Sequence, residues 1–124
     1  MAKIERFEDL EVWKKASEIA IEVYTLTSSG KLSKDYGLKD QIQRAAISIS
    51  NNIAEGFEYD NRNDFVKFLR YAKGSTGEVR SMLNMLLKIG LVDKECHKRL
   101  YNELEILSKQ LYTFIKYLKG TIKV

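Results

Sequence analysis

The sequence has no proline and a single cysteine among its 124 residues. Because proline interrupts helices and shapes turns, its absence favours long helices joined by short connections. The single cysteine, Cys96, excludes an internal disulfide, and we expect the protein to work in a reducing cytoplasm. No apolar run exceeds three residues. A membrane-spanning helix needs about 20, so we expect neither a membrane span nor a membrane partner.

Residues that carry catalysis or bind metals are scarce, and His97 is the only histidine. It follows Cys96 directly, but adjacent helical residues point about 100° apart and do not face each other. A di-metal bundle would need glutamate three residues before histidine, and Lys94 stands there. The segment 73–77 resembles a phosphate loop only superficially, because it lies within a helical pattern. We therefore predict no catalytic residue, no cofactor and no metal site.

Four segments show apolar residues at the spacing of three and four that is typical of amphipathic helices. Only a short turn separates the third segment from the fourth, so these two helices are expected to be antiparallel neighbours. Helices that are apolar along one stripe bury those stripes best as a bundle. The prediction is an all-α fold, an antiparallel up-down-up-down four-helix bundle, with residues 1–124 as one domain. The predicted helices span residues 8–28, 38–55, 62–89 and 94–119.

Particular residues mark the predicted helix ends. Asp60 or Asn61 is placed to cap the third helix, and Asp93 is placed to cap the fourth. Gly90 closes the third helix, and Gly56 is interpreted as the residue that follows the end of the second. The most regular apolar stripe is that of the fourth helix, made of Leu100, Leu104, Leu107, Leu111, Phe114 and Leu118.

The second predicted helix is rich in small residues, which let helix axes come close together. Gly74 and Gly77 lie within the third helix, where each costs about 1 kcal/mol relative to alanine. A close approach of another backbone, or a loosened helix, would account for these two glycines. A row of polar residues lies beside the apolar stripe of the second helix. These residues can form hydrogen bonds between helices or between subunits; alternatively, they form a solvated edge. The row consists of Gln41, Arg44, Ser48, Asn51 and Glu55.

Charge is distributed unevenly along the chain, whose net charge is +4. Residues 1–57 carry 8 basic and 9 acidic side chains, whereas residues 58–124 carry 13 and 8. On a helical wheel, four basic residues of the third helix fall within about 80° of one another, with no acid among them. Such a face suits a polyanionic partner, although solvated helix surfaces also carry basic rows. The predicted nucleic-acid-binding residues are Arg70, Lys73, Arg80 and Lys88 on the third helix and Lys109 and Lys116 on the fourth.

Tyr112 lies alongside the two lysines of the fourth helix. A tyrosine between basic residues suits a phosphate backbone with occasional base stacking. Many helical bundles have basic faces that bind nothing, so this pattern alone is weakly specific.

Three ordered motifs resemble a known family. The segment 44–56, RAAISISNNIAEG, is similar to the second-helix motif of the 23S rRNA intervening-sequence proteins, which are small bacterial four-helix bundles. The segments 7–13, FEDLEVW, and 71–78, YAKGSTGE, resemble that family's opening and third-helix motifs. The sequence departs from the pattern at Asn51, which precedes Asn52 where other residue types are common. The accessory protein of diversity-generating retroelements belongs to the same group.

The resemblance implies a bundle that assembles into a homo-oligomeric ring, expected to be a pentamer, without known enzymatic activity. Genes of some members lie within insertions in ribosomal RNA genes, and the retroelement relative binds its reverse transcriptase and nucleic acid. The family offers no catalytic residues, and its motif residues are interpreted as structural or interfacial. Together with the polar row, this interpretation predicts an interface of Gln41, Arg44, Ser48, Asn52, Glu55 and Gly74.

These observations leave two main hypotheses for the function. The first is a non-enzymatic homo-oligomer that binds RNA or DNA through the basic faces of the third and fourth helices. The alternative is a scaffold ring that binds a protein partner such as a reverse transcriptase, with no direct nucleic-acid role. The salt dependence of any nucleic-acid affinity distinguishes the two. An enzyme or small-ligand binder would require a buried polar cluster beside a cavity.

Overall fold

The computed structural model describes residues 3–121 and contains four α-helices. One 3-10 turn, Phe7–Asp9, precedes the first helix, and a second, Lys31–Lys34, follows it. There is no β-strand within residues 3–121, and the predicted all-α bundle is confirmed. The helices are α1 (Glu11–Thr27), α2 (Tyr36–Glu58), α3 (Arg62–Lys88) and α4 (Lys94–Thr121).

Side-chain caps begin α3 and α4 where the sequence places them. The side-chain oxygen of Asn61 accepts a hydrogen bond of 3.0 Å from the backbone N–H of Asp64. Asp93 accepts one of 2.8 Å from the backbone N–H of Cys96. Of the two candidates for the α3 cap, Asp60 instead takes a left-handed φ of 52° in the preceding turn. Each cap satisfies an N–H group that has no partner within its helix.

Gly90 ends α3, as predicted. Its φ of 81° lies in the left-handed region that glycine favours. The N–H of Gly90 donates to the carbonyl of Leu87 at 3.2 Å, and the N–H of Leu91 donates to that of Leu86 at 2.9 Å. This pair of hydrogen bonds is a Schellman motif, and it leads directly into the turn before α4.

Two helix starts differ from the prediction. The first helix begins at Glu11, three residues later than predicted, because Phe7–Asp9 forms a 3-10 turn and Leu10 is extended. The second helix begins two residues earlier than predicted, because the carboxylate of Asp35 accepts a hydrogen bond from the first turn of α2.

Gly56 lies inside α2, so its interpretation as the residue after the helix end is wrong. The glycine is buried against α3. A Cβ atom added there would lie 2.6 Å from the Cβ of Phe68 and 3.2 Å from the ring of Phe65. Real Cβ atoms do not come so close to another carbon, so the missing side chain allows α2 and α3 to approach each other.

One hydrophobic core takes side chains from all four helices. Val12 is buried on α1, whereas the neighbouring Trp13 is half-buried and packs edge-to-face on Phe7. On α2, Ile53 is buried in the core and the neighbouring Asn52 is half-buried. The large side chains that are fully buried are Ile19, Leu32, Ile42, Ile49, Ile53, Leu69, Leu83, Leu86, Leu100, Leu104, Leu107 and Leu111.

Two contacts fix the register of α3 and α4. Near one end, the side-chain oxygen of Asn84 lies 2.8 Å from Nε2 of His97. Near the other, the rings of Phe65 and Phe114 meet edge-to-face with centroids 5.4 Å apart. Phe65, the residue nearer the N-terminus of α3, contacts Phe114, the residue nearer the C-terminus of α4. The two helices are therefore antiparallel, which is consistent with the predicted up-down-up-down arrangement.

The seam between α1 and α4 is the least extensive of the four helix–helix contacts. Ion pairs join its two sides: Lys15 Nζ lies 2.5 Å from Glu103 Oε2, and Arg99 pairs with Glu22. Towards the N-terminus of α1 the seam widens into an apolar groove of about 760 Å³. The apolar residues of this groove are Ile4, Leu10, Val12, Ile106, Phe114 and Tyr117.

Replacing Gly56 by alanine is expected to destabilise the bundle. Alanine favours a helix over glycine by about 0.5–1 kcal/mol, but forcing a methyl group against Phe68 costs about 1–3 kcal/mol. The loss should appear as a lower midpoint of chemical denaturation followed by circular dichroism. Gly37→Ala is the control, because a Cβ at Gly37 would lie an ordinary 3.9 Å from Asp35. Equal midpoints for the two variants would contradict a tight contact at Gly56.

Candidate nucleic-acid-binding face

The basic residues predicted on α3 lie on one side of the helix, centred on Asn84. Each is within about 40° of Asn84 on a helix of 3.6 residues per turn. Because Asn84 contacts His97 of α4, these residues border the seam between α3 and α4. We call this surface the basic face; it consists of Arg70, Lys73, Arg80 and Lys88.

None of these four cations forms an ion pair with a carboxylate of residues 3–121. The two outer residues are exposed and the two inner ones are half-buried. Nε of Arg80 donates a hydrogen bond of 3.3 Å to the carbonyl oxygen of Thr76. Its guanidinium lies over Gly77, where a Cβ would be 3.7 Å from Nη2. The charge of Arg80 therefore lies along the surface of its own helix without a counter-ion from the chain.

The two glycines of α3 are not sites of close approach within the chain. A Cβ at Gly74 would meet nothing within 4 Å, and the nearest atom to one at Gly77 belongs to Arg80. The helix continues without interruption through both positions. The close approach occurs instead at Gly56 of α2, which packs against Phe65 and Phe68 of α3.

An acidic residue of α4 lies across from the basic face. The register of the two helices places Glu105 at the level between Lys73 and Arg80. Glu105 is half-buried and forms no ion pair with any residue from 3 to 121. The wheel of α3 alone has no acid on this side, so the sequence pattern missed a carboxylate that the neighbouring helix contributes.

The two predicted lysines of α4 are exposed and lie in different surroundings. Lys109 lines the apolar groove between α1 and α4, as does Glu11. Lys116 follows Tyr112 by one helical turn. The structure therefore groups the four basic residues of α3 but places Lys109 at a separate groove.

Two of the predicted interface residues are half-buried and form hydrogen bonds within the chain. The hydroxyl oxygen of Ser48 lies 2.7 Å from that of Ser75 on α3. The side-chain amide of Asn52 donates a hydrogen bond of 2.7 Å to the carbonyl oxygen of Ser48. At Ser48, the hydrogen bonding predicted between helices or between subunits is thus made between helices.

The other predicted interface residues are open to solvent. Arg44 pairs with Asp40 one turn earlier, with Nε 2.8 Å from Oδ2. Arg44 and Glu55 also line a groove of about 260 Å³ along the outer side of α2, together with Ser48 and Asn52. The exposed members of the predicted interface are Gln41, Arg44, Glu55 and Gly74.

Cys96 and His97 interact with different surroundings. The thiol of Cys96 is free and half-buried, and burial raises its pKa above the ordinary value. His97 contacts Asn84 and stacks on Tyr101, with ring centroids 5.4 Å apart. Within residues 3–121, no group of three or more histidine, cysteine or carboxylate side chains is placed to hold a metal ion. No helix in that range has the length and apolar character that a membrane crossing needs.

A family profile described as 23S rRNA-intervening sequence protein matches residues 8–113 of the chain. The chain belongs to that family. The match covers α1, α2, α3 and most of α4, so the resemblance carried by the three motifs is confirmed. It includes the whole basic face and all the predicted interface residues, whereas Lys116 lies beyond it.

The family fold is also found in a solved structure. This is a crystal structure from Bacteroides thetaiotaomicron VPI-5482, described as a protein with unknown function from the S23 ribosomal protein family. It is 25% identical to the chain, superimposes with a TM-score of 0.79, and matches 85% of this chain and 95% of that one. No curated protein is significantly similar to the chain. Neither family description states an activity.

The thiol of Cys96 is expected to react slowly with iodoacetamide in the native protein. Because burial raises its pKa, less thiolate is present at neutral pH than in the unfolded chain. Intact-mass measurements over time should show slower alkylation in buffer than in denaturant, and the difference should narrow as the pH rises through the native pKa. Equal rates at neutral pH would contradict this prediction.

Proposed function

We propose that this protein is a non-enzymatic homo-oligomer that binds RNA or DNA through the basic face of α3. The proposal depends chiefly on one observation, the four cations on one side of a helix that lack a carboxylate partner within residues 3–121. Contact between such cations and phosphates releases the counter-ions condensed on the nucleic acid, which favours binding. We place this activity in the cytoplasm, where a free thiol such as Cys96 stays reduced.

Binding by one subunit is expected to be weak and tolerant of sequence. Phosphate contacts position a protein on nucleic acid but carry no sequence information directly. Glu105 lies close to the level of Lys73 and Arg80, the two inner cations. Its negative carboxylate repels a phosphate at that level. A single chain thus offers few favourable contacts, and repetition of the face would be needed for useful affinity.

Assembly into a ring would supply that repetition, because symmetry copies the basic face and makes the surface multivalent. We propose that subunits meet along the outer side of α2 and the adjoining part of α3. The exposed Gln41, Arg44 and Glu55 support this choice, as does the open surface at Gly74 beside the Ser75 that bonds to α2. A pentamer is the ring size that the family resemblance implies.

A protein-binding scaffold is the second candidate, and the apolar groove between α1 and α4 favours it. Three apolar residues of this groove are unusually accessible: Ile4 is 42% exposed, Ile106 is 47% exposed and Tyr117 is 61% exposed. Exposed apolar surface in a groove is typical of protein interaction sites. A partner such as a polymerase would then be held without direct contact between this protein and nucleic acid.

Reversing the charge of Arg70 and Arg80 to glutamate is expected to weaken nucleic-acid binding. Each lost phosphate contact should also reduce the log–log salt slope on duplex DNA by about 0.9. Fluorescence anisotropy with labelled RNA and DNA at several salt concentrations measures both effects. The double variant Lys31→Glu with Lys34→Glu is the matched control, because it changes the net charge equally at two exposed lysines in the turn between α1 and α2.

Two results would overturn the proposal. One is the absence of wild-type affinity for RNA and DNA even at low salt, which would favour the scaffold. The other is an equal loss of affinity in both double variants, which would show that only the total charge matters. Circular dichroism and light scattering on each variant identify any loss of fold or assembly.

Gly74→Ala is expected to reduce the size of the oligomer while stabilising the folded subunit by about 0.5–1 kcal/mol. Within the chain a methyl group at this position meets open space, so a loss of assembly would come from contact with another subunit. Light scattering at micromolar concentration measures the mass, with Gly37→Ala as the control at another exposed helical glycine. A wild-type mass near 14.4 kDa, that of one chain, would contradict the proposed oligomer.

A further inference from the structure

Two tyrosines of α4 lie along the seam that the basic face borders. Tyr101 stacks on His97, which contacts Asn84 at the centre of the basic face. Tyr112 follows Tyr101 by 11 residues, or about three helical turns, so it projects from the same edge of α4. Tyr112 is 57% exposed, and Tyr101 is half-buried.

The register of the two helices sets an arginine near the level of each tyrosine. The two contacts that fix this register place Arg80 level with Tyr101 and Arg70 level with Gln110, within one helical turn of Tyr112. The two arginine–tyrosine pairs follow each other along the seam at a distance of about 15 Å. One side of the seam therefore carries positive charge, and the other carries aromatic rings.

Among the described residues, no arginine lies over the ring of either tyrosine. In the part of the chain that the structure describes, the cation found over an aromatic ring is Lys67, which lies over Phe68. Arg80 is turned back towards Thr76 of its own helix instead. A planar ligand group can therefore stack on the exposed ring of Tyr112 while its charged neighbour contacts Arg70.

We propose that this seam binds single-stranded RNA or DNA in preference to a duplex. Cations of α3 hold the phosphates, and unpaired bases stack on the exposed ring of Tyr112. Aromatic platforms beside a positively charged groove are the means by which proteins bind single strands without sequence preference. In a duplex the base faces are already stacked on one another, so only the phosphate contacts would remain. This inference rests on the nucleic-acid binding proposed above and adds the class of substrate.

Glu105 lies between the two arginine–tyrosine pairs. A substitution at Glu105 therefore distinguishes the contribution of phosphate contacts from that of base stacking. Its carboxylate repels phosphate on either kind of nucleic acid, whereas it has no direct effect on base stacking. Glu105→Gln is therefore expected to strengthen binding of single strands and duplexes alike. This variant reports on the basic face, and a change at Tyr112 reports on stacking.

The test compares Tyr112→Ala with the wild type on a labelled single-stranded 20-nucleotide RNA and on a duplex of the same sequence. The expected result is tighter wild-type binding of the single strand and at least about fivefold weaker binding of it by Tyr112→Ala, with little change for the duplex. Tyr112→Phe keeps the ring and should restore the affinity. Tyr117→Ala is the matched control, since Tyr117 is 61% exposed on the same helix but lines the groove towards α1.

Photocrosslinking with RNA that contains 5-iodouracil gives a readout independent of stability. Mass spectrometry of the crosslinked peptides should place the adduct on Tyr112. Equal wild-type affinity for the duplex and no effect of Tyr112→Ala would overturn the single-strand inference, while a tighter Glu105→Gln variant would still support the basic face. Failure of the wild type to bind any of these nucleic acids would overturn both proposals.

Discussion

The close contact between α2 and α3 at Gly56 is the constraint on which the surface of this bundle depends. Without a side chain at Gly56, Phe68 packs directly against α2, and Phe65 turns inward to meet Phe114. This packing fixes the rotation of α3 about its axis. Once the aromatic side is turned inward, the side centred on Asn84 must lie at the edge facing α4. The position of the basic face is thus a consequence of packing, although its residues contribute little to the core.

Local features of this fold could be predicted from the sequence because they depend on neighbours along the chain. The caps at Asn61 and Asp93, the stop at Gly90 and the leucine stripe of α4 all belong to this class. The prediction that α2 ends at Gly56 is wrong because glycine is common both after helix ends and at close contacts between helices. Only the position of Phe68 on the neighbouring helix distinguishes the two. The basic residues of α3 could be grouped from periodicity alone, whereas relations between helices could not. The carboxylate of Glu105 opposite that face, the Ser48–Ser75 hydrogen bond and the separate setting of Lys109 all require the register of neighbouring helices.

Two seams of the bundle, α2–α3 and α1–α4, are stabilised by different means. Between α2 and α3 the helices are close, and a serine pair joins them. Between α1 and α4 the contact is looser, and charged side chains such as Lys15 and Glu103 reach across it. Partly exposed ion pairs contribute little to stability in water, so the core packing of α1 has to hold this seam together. That looseness leaves the apolar groove open at the end of the seam, away from the charged surface of α3.

The Schellman turn at Gly90 has a consequence for the kinetics of binding. Its two hydrogen bonds and the cap at Asp93 leave α3 and α4 joined by a short, well-bonded connection. The two sides of the seam are therefore held close together at this end of the bundle. For the nucleic-acid binding proposed above, association would be governed by diffusion and by long-range attraction, and the attraction depends steeply on ionic strength. Differences among ligands would appear mainly in how long each remains bound.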